Sequence, residues 1–238
     1  MFELDIDRDV ARLRLARPQV RNAVPLAGWD RLAEQVAAAS AARLIVVAGS
    51  GGAFSAGADL SDFPSFRGDE AAAADFRRAM RRGLAGLEQA PVPTIALVEG
   101  PCYGAGVALA MACDIRLVGP EARFAITPAK MGISYPQEDV HRLVALVGPG
   151  QAARILFGGA AIDAAEALRI GLADAEAAGL DALVEAILAN DRTSLATLKR
   201  GIALAGSGVR SDAGQDRTFD ALLAADALVT RLEARRRR

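Results

Sequence analysis

The chain opens with alternation of apolar and polar residues. Phe2 to Asp7 and Val10 to Leu15 carry a period of two on either side of Arg8-Asp9, which predicts a β-hairpin. The period then lengthens. Ala27 to Ala39 spaces Trp29, Leu32 and Val36 at helical intervals. Leu44-Ile45-Val46-Val47-Ala48 is a short unbroken apolar run, which predicts a buried strand emptying into Gly49, Gly51 and Gly52. Residues 70–89, rich in Ala and Arg, predict a helix stopped by Pro91 and Pro93. Thr94 to Val98 predicts the next buried strand, again running into glycines, at 100, 104 and 106. A short buried helix is predicted over Ala105 to Ala112, and strands over Ile115 to Val118 and Arg123 to Ile126. From about residue 139 the pattern is helical, over 139–147, 150–157, 163–170, 180–189, 194–205 and 215–235. The class this predicts is α/β, with strands alternating with helices for the first 130 residues and an all-helical end. No fixed-period repeat or low-complexity linker marks a domain break.

Composition narrows the function classes. With 28 Lys+Arg against 29 Asp+Glu, the formal net charge of −1 gives no footprint for nucleic acid or an anionic membrane. The basic block Arg235 to Arg238 reads as a solvated tail. No apolar run reaches the roughly 18 residues of a membrane span. The acidic start, Met1-Phe2-Glu3-Leu4-Asp5, is neither a signal nor a transit peptide, so a cytoplasmic protein is expected. One His, His141, and two cysteines, Cys102 and Cys113, leave no ligand set for a metal and no disulfide framework. Both cysteines read as buried core thiols, and His141 as structural or surface. No G-x-S-x-G elbow accompanies it to suggest a hydrolase.

Two glycine-bearing stretches carry the candidate chemistry: Ala53-Phe54-Ser55-Ala56-Gly57-Ala58-Asp59-Leu60, and Gly100-Pro101-Cys102-Tyr103-Gly104-Ala105-Gly106. Each follows a predicted strand, and the second leads into a helix. Such junctions project unpaired amide groups, and a helix N-terminus adds partial positive charge. Two amides converging on one oxygen make an oxyanion hole. Taken singly, either stretch also reads as a tight turn of small packing residues.

Together, and in this order, the two stretches resemble the paired signatures of the crotonase (enoyl-CoA hydratase/isomerase) superfamily: F-S-A-G-A-D-L at 54–60 and V-E-G-x-x-x-G-A-G-x-x-L-A-M-A-C-D at 98–114. A-R-F…P…M-G-I and A-A-E-A-L-R-I-G-L-A-D at 164–174 extend the likeness over roughly residues 2 to 205. The resemblance implies a spiral of ββα turns over residues 1–175 and a C-terminal helical region over 176–238, in a homotrimer or hexamer. It implies an acyl-CoA substrate, with coenzyme A entering as part of that substrate and no tightly bound cofactor. By position, the amides of Ala58 and Ala105 become the two donors to a thioester enolate. Ala56, Gly57, Asp59 and Gly104 fall where the family lines the adenine pocket and braces the loops, although Asp59 also reads as simple loop architecture. Arg231 and the terminal arginines are candidates for the coenzyme A phosphates.

The chain departs from that pattern where acid–base chemistry resides. Hydratases of the family carry two glutamates, which would fall at positions 108 and 128; here they are Ala108 and Pro128. Neither residue transfers a proton. Thr127 to Tyr135, with Val98-Glu99-Gly100 and Tyr103, resembles the corresponding stretches of methylmalonyl-CoA decarboxylases in the same superfamily, which implies decarboxylation of a malonyl-type thioester. Tyr135 is then the candidate to orient the departing carboxylate, or a packing residue whose hydroxyl meets the backbone. Other readings stay open: a hydratase or isomerase with relocated acid–base groups at Glu138, Asp139 or Tyr135, and a catalytically silent acyl-CoA-binding subunit.

Overall fold

The structure is a computed structural model describing residues 1–236; Arg237 and Arg238, the end of the expected basic tail, lie outside the described residues. The predicted hairpin forms as β1 (Phe2–Asp7) and β2 (Val10–Leu15), turning at Arg8, which takes a positive φ of 54°. Helix α1 (Leu26–Ala39) turns Trp29, Leu32 and Val36 inward. Strand β3 (Leu44–Gly49) is followed by α2 (Glu70–Glu88), whose carboxylate cap Asp69 accepts from the Ala72 amide. Then come β4 (Thr94–Val98), β5 (Pro101–Tyr103), α3 (Ala105–Met111), β6 (Ile115–Val118) and β7 (Arg123–Ala125).

Two sheets divide these strands. The first runs β1-β2-β3-β4-β6 and ends on β9 (Ala175–Glu176); only β1 and β2 are antiparallel in it. Leu13, Val47 and Ala96 stand in register across its centre, and all three are fully buried. The second sheet joins β5, β7 and β8 (Ile162–Asp163). Each turn of chain therefore places one strand in the first sheet and the next in the second, as β4 then β5 and β6 then β7. Isolated bridges between Val24 and Ala58 and between Ser55 and Cys102 stitch neighbouring turns together. Helices α1 and α2 cover the first sheet. They meet at Gly83, where an added Cβ would stand 2.6 Å from the Trp29 carbonyl oxygen.

The all-helical reading after residue 139 needs correction, because β8 and β9 lie within it. Each is two residues long, too short to leave a period in the sequence. Helix α4 (Gln137–Gly158) is broken at Gly148 (φ 76°, ψ 162°) with Pro149 following, as the separate predictions for 139–147 and 150–157 imply. Next come α5 (Ala164–Ile170) and α6 (Leu180–Leu188). The chain forms two compact units, Met1–Leu188 and Ala189–Arg238. The second holds α7 (Arg192–Gly206), α8 (Ala213–Leu223) and α9 (Asp226–Arg236), so the single helix predicted over 215–235 is two. No helix among the described residues is long and apolar enough to cross a membrane.

Candidate active site

The loop after β3 is organised by a residue that sequence reasoning missed. Asn22 is fully buried and takes a left-handed φ of 57°. Its amide nitrogen Nδ2 donates to the carbonyls of Ser50 and Ala53, each at 2.8 Å, and its Oδ1 accepts from the Arg17 amide at 2.9 Å. The Ser55 hydroxyl donates to the Asn22 carbonyl at 2.9 Å and accepts from the Gly57 amide at 3.1 Å. These bonds fix residues 50–57 as a unit. The sequence-level signal is faint: an asparagine in a turn, where its short side chain tolerates positive φ.

Asp59 closes the far side of that loop. Its Oδ1 accepts from the Ser61 amide and hydroxyl, and its Oδ2 from Arg17 at 2.8 Å. The Ser61 bonds, then the Arg17 guanidinium, hold its carboxyl below the usual value. With both oxygens engaged, Asp59 braces the loop, as its architectural reading has it.

The second loop meets the first through backbone. Gly57 takes φ 93°, and a Cβ there would stand 2.6 Å from the Tyr103 carbonyl oxygen and 2.9 Å from the Ala105 nitrogen. Gly106 approaches Ser55 as closely, with 2.6 Å between its would-be Cβ and the Ser55 carbonyl oxygen. Only glycine permits such contact. Ala105 is the first residue of α3, so its amide has no intrahelical acceptor. Neither it nor the Ala58 amide has a backbone acceptor among the described residues.

Ala56, Ala58, Gly104 and Ala105 line one cavity of about 430 Å³ with Tyr135 and Pro128. Its far wall is apolar: Leu60, Phe63, Phe76, Met80, Met131 and Ile133. Phe63, Phe66 and Phe76 pack on one another at centroid separations of 5.3 to 5.9 Å. The sequence reading contained no such wall, because its residues come from the 60–66 turn, α2 and the 128–133 segment.

Two expectations about polar groups are corrected. Glu138 does not line this cavity: it is exposed on the first turn of α4, beside His141 in one groove and beside Asp139 in a water-sized cavity that adjoins the acyl cavity. Its neighbour Asp139 is the buried carboxylate, paired with Arg142 at 2.6 Å, and burial raises its pKa against the pull of Arg142 and Arg81. Arg142 and Arg81 both also pair with Glu88, forming a charged layer at the base of α2 and α4. Tyr135 does line the cavity, but its hydroxyl donates to the Gly104 carbonyl at 3.0 Å. Its one proton is thus held by backbone and is not offered to a substrate carboxylate. Burial, with Asp139 behind it, pushes the phenol well above its ordinary pKa. No Asp, Glu, His, Lys or Cys lines the cavity among the described residues. Cys102 is fully buried in β5 beneath the second loop, its thiol pKa pushed up by burial, and Cys113 is buried after α3. Arg231 lies in the second unit, near Asp191.

The same fold recurs in known proteins. A probable enoyl-CoA hydratase of Mycobacterium tuberculosis is 35% identical over 167 residues, which are 69% of this chain and 66% of that protein. A crystal structure of an enoyl-CoA hydratase/isomerase family protein from Hyphomonas neptunium superposes with a TM-score of 0.92 at 35% identity, covering 98% of this chain and 93% of that one. An enoyl-CoA hydratase structure from Thermobifida fusca, solved with acetoacetyl-CoA, superposes with a TM-score of 0.77 at 31% identity, covering 98% and 95%. Residues 5–205 match the enoyl-CoA hydratase/isomerase family model, and with the spiral of turns and the two touching loops this establishes that the chain belongs to the enoyl-CoA hydratase/isomerase family.

Proposed function

We propose that the protein binds acyl-CoA thioesters in the cavity above α3 and stabilises a thioester enolate with the amides of Ala58 and Ala105. Its reaction is loss of carbon dioxide from a carboxylated acyl group. The observation that carries the reading is the lining: two backbone amides without backbone acceptors, and no carboxylate or imidazole among the described residues. The acetoacetyl-CoA held by the Thermobifida fusca relative supports the thioester. Phe63, Phe76, Met131 and Ile133 supply an apolar wall for the acyl carbons.

Hydration and double-bond migration both require a side chain that takes and returns a proton. Decarboxylation does not. The C–C bond to the carboxylate breaks, its electron pair passes into the thioester carbonyl, and carbon dioxide leaves. The oxygen gains charge, and in this reading the Ala58 and Ala105 amides receive it; preorganised donors lower such a barrier by about 3–4 kcal/mol for one donor. The enolate carbon then takes a proton from water at the open side of the cavity. Ala108 and Pro128 suit this step, because an ionised glutamate at either position would repel the substrate carboxylate in a low-dielectric site. Tyr135 holds the Gly104 carbonyl and so steadies the turn that presents the Ala105 amide.

Incubation with methylmalonyl-CoA and, separately, with crotonyl-CoA tests the reading. Carbon dioxide release without hydration of crotonyl-CoA is the expected result; hydration would overturn it. Binding of both esters with turnover of neither would instead support the silent acyl-CoA-binding subunit, a reading the absence of carboxylates and imidazoles from the described lining also favours.

A further inference from the structure

Helix α2 carries four arginines in two adjacent pairs, Arg77-Arg78 and Arg81-Arg82. Three of them are neutralised: Arg78 by Asp75, Arg81 by Glu88, and Arg82 by Asp30 at 2.8 Å. Arg77 has no ion-pair partner among the described residues, and it alone of the four lines the large cavity. It also lines a second, water-sized cavity of about 10 Å³, and the two cavities share Arg77, Met80 and Pro136. Arg77, an exposed residue, therefore stands at the rim of the acyl cavity next to α4, and Glu138 and Asp139 line the small cavity it shares. It is the one charged side chain in the lining of the large cavity among the described residues, and Thr127 and Ser134 hydroxyls share that lining.

We propose that Arg77 is a specificity-determining residue that selects acyl-CoA thioesters carrying a carboxylate on the acyl group. This deepens the decarboxylation reading and rests on it for the substrate's identity. An exposed guanidinium without an ion-pair partner at the rim of an apolar cavity has two ways to be satisfied: bulk water, or an anion brought by the ligand. A planar fork of donors suits a carboxylate, and the charge-assisted bonds strengthen as the acyl group displaces water from the cavity. The same pairing has a kinetic signature. It stabilises the carboxylate of the bound substrate and weakens as that carboxylate becomes neutral carbon dioxide, so it lowers KM while opposing kcat, and its removal raises KM without lowering kcat.

The test compares methylmalonyl-CoA with isobutyryl-CoA, which differ only in a carboxylate replaced by a methyl group, and includes free coenzyme A. Binding is measured by titration calorimetry on the full chain and on the Arg77→Met and Arg77→Lys variants. The wild-type chain is expected to prefer the carboxylated ester by at least about 10-fold, Arg77→Met to erase the preference, and Arg77→Lys to keep part of it. Affinity for free coenzyme A is expected to be unchanged throughout. If turnover is present, Arg77→Met raises KM for methylmalonyl-CoA by about 10- to 100-fold without lowering kcat. A wild-type chain without the preference, an Arg77→Met variant that keeps it, or a variant weakened equally toward both esters and free coenzyme A would overturn the proposal. Because selectivity is read from binding, absence of carbon dioxide release refutes the reaction and leaves Arg77 standing. Release with an undiminished preference in Arg77→Met refutes Arg77 alone.

Discussion

Replacing Asn22 by alanine isolates the device that holds the first loop. The side chain makes three bonds of 2.8 to 2.9 Å, to the Ser50 and Ala53 carbonyls and from the Arg17 amide, and a longer fourth from the Ser50 hydroxyl at 3.3 Å. At about 1–1.5 kcal/mol for each of the three short bonds, their loss costs about 3–4.5 kcal/mol, since the groups left behind gain no replacement partner. Alanine at φ 57° adds about 1 kcal/mol of backbone strain that asparagine largely escapes. The sum, about 4–5.5 kcal/mol, is a large share of the stability of an ordinary domain. Equilibrium urea unfolding followed by circular dichroism is the assay, and the expected midpoint shift is about 2 M. Asn22→Gly removes the same bonds without the strain, so it should be about 1 kcal/mol less damaging than Asn22→Ala. An Asn22→Ala variant within about 1 kcal/mol of wild type would falsify the assignment of loop rigidity to this side chain.

Three further outcomes follow from the geometry. Gly57→Ala forces a methyl group against the Tyr103 carbonyl and the Ala105 nitrogen at a positive φ, so the loops must part; acyl-CoA affinity measured by calorimetry should fall at least about 10-fold. Tyr135→Phe removes one donor from a Gly104 carbonyl that still accepts from the Val107 amide at 3.0 Å; urea unfolding should show a loss of only about 1 kcal/mol, and a loss above about 3 kcal/mol would refute this partition. Burial raises the Asp139 pKa above the ordinary 3.8, so the native state holds the proton more tightly than the unfolded chain. The stability of wild type relative to Asp139→Asn should therefore decline as pH rises from 3.8 through the folded pKa and then level off. Unfolding measured from about pH 4 to about pH 7 checks the sign, and a difference that grows with pH contradicts it.

Long periodic segments were legible in the sequence to within a residue or two. The apolar run at 44–48 is β3, and the 70–89 helix is α2, because buried faces impose a period on the residues that fill them. Strand β5 was not legible: Pro101 to Tyr103 becomes a strand only by pairing with Arg123 to Ala125, a partner distant along the chain. The break between α8 and α9, at Ala224-Ala225, carries neither glycine nor proline to announce it. At the site, the glycines advertised both loops, since close backbone approach leaves few alternatives. Of the two adjacent candidate carboxylates, the buried one is Asp139 and not Glu138. Adjacent helical residues point about 100° apart, so Glu138 faces solvent where Asp139 is buried. Arg77 was invisible as a cavity residue because nothing in the run Arg77-Arg78 distinguishes the arginine that will lack a counterion.

The backbone-to-backbone seam between Gly57 and Ala105 separates what must be kept from what can be exchanged. Main-chain donors persist through almost any side-chain replacement that leaves the local path undisturbed. The walls contributed by α2 and by residues 128–135 come from other parts of the chain and can be rewritten one residue at a time. A lineage holding the seam constant could thus lose its proton-transfer groups, acquire a cation such as Arg77, and arrive at a new reaction without ever rebuilding the apparatus that steadies charge on oxygen.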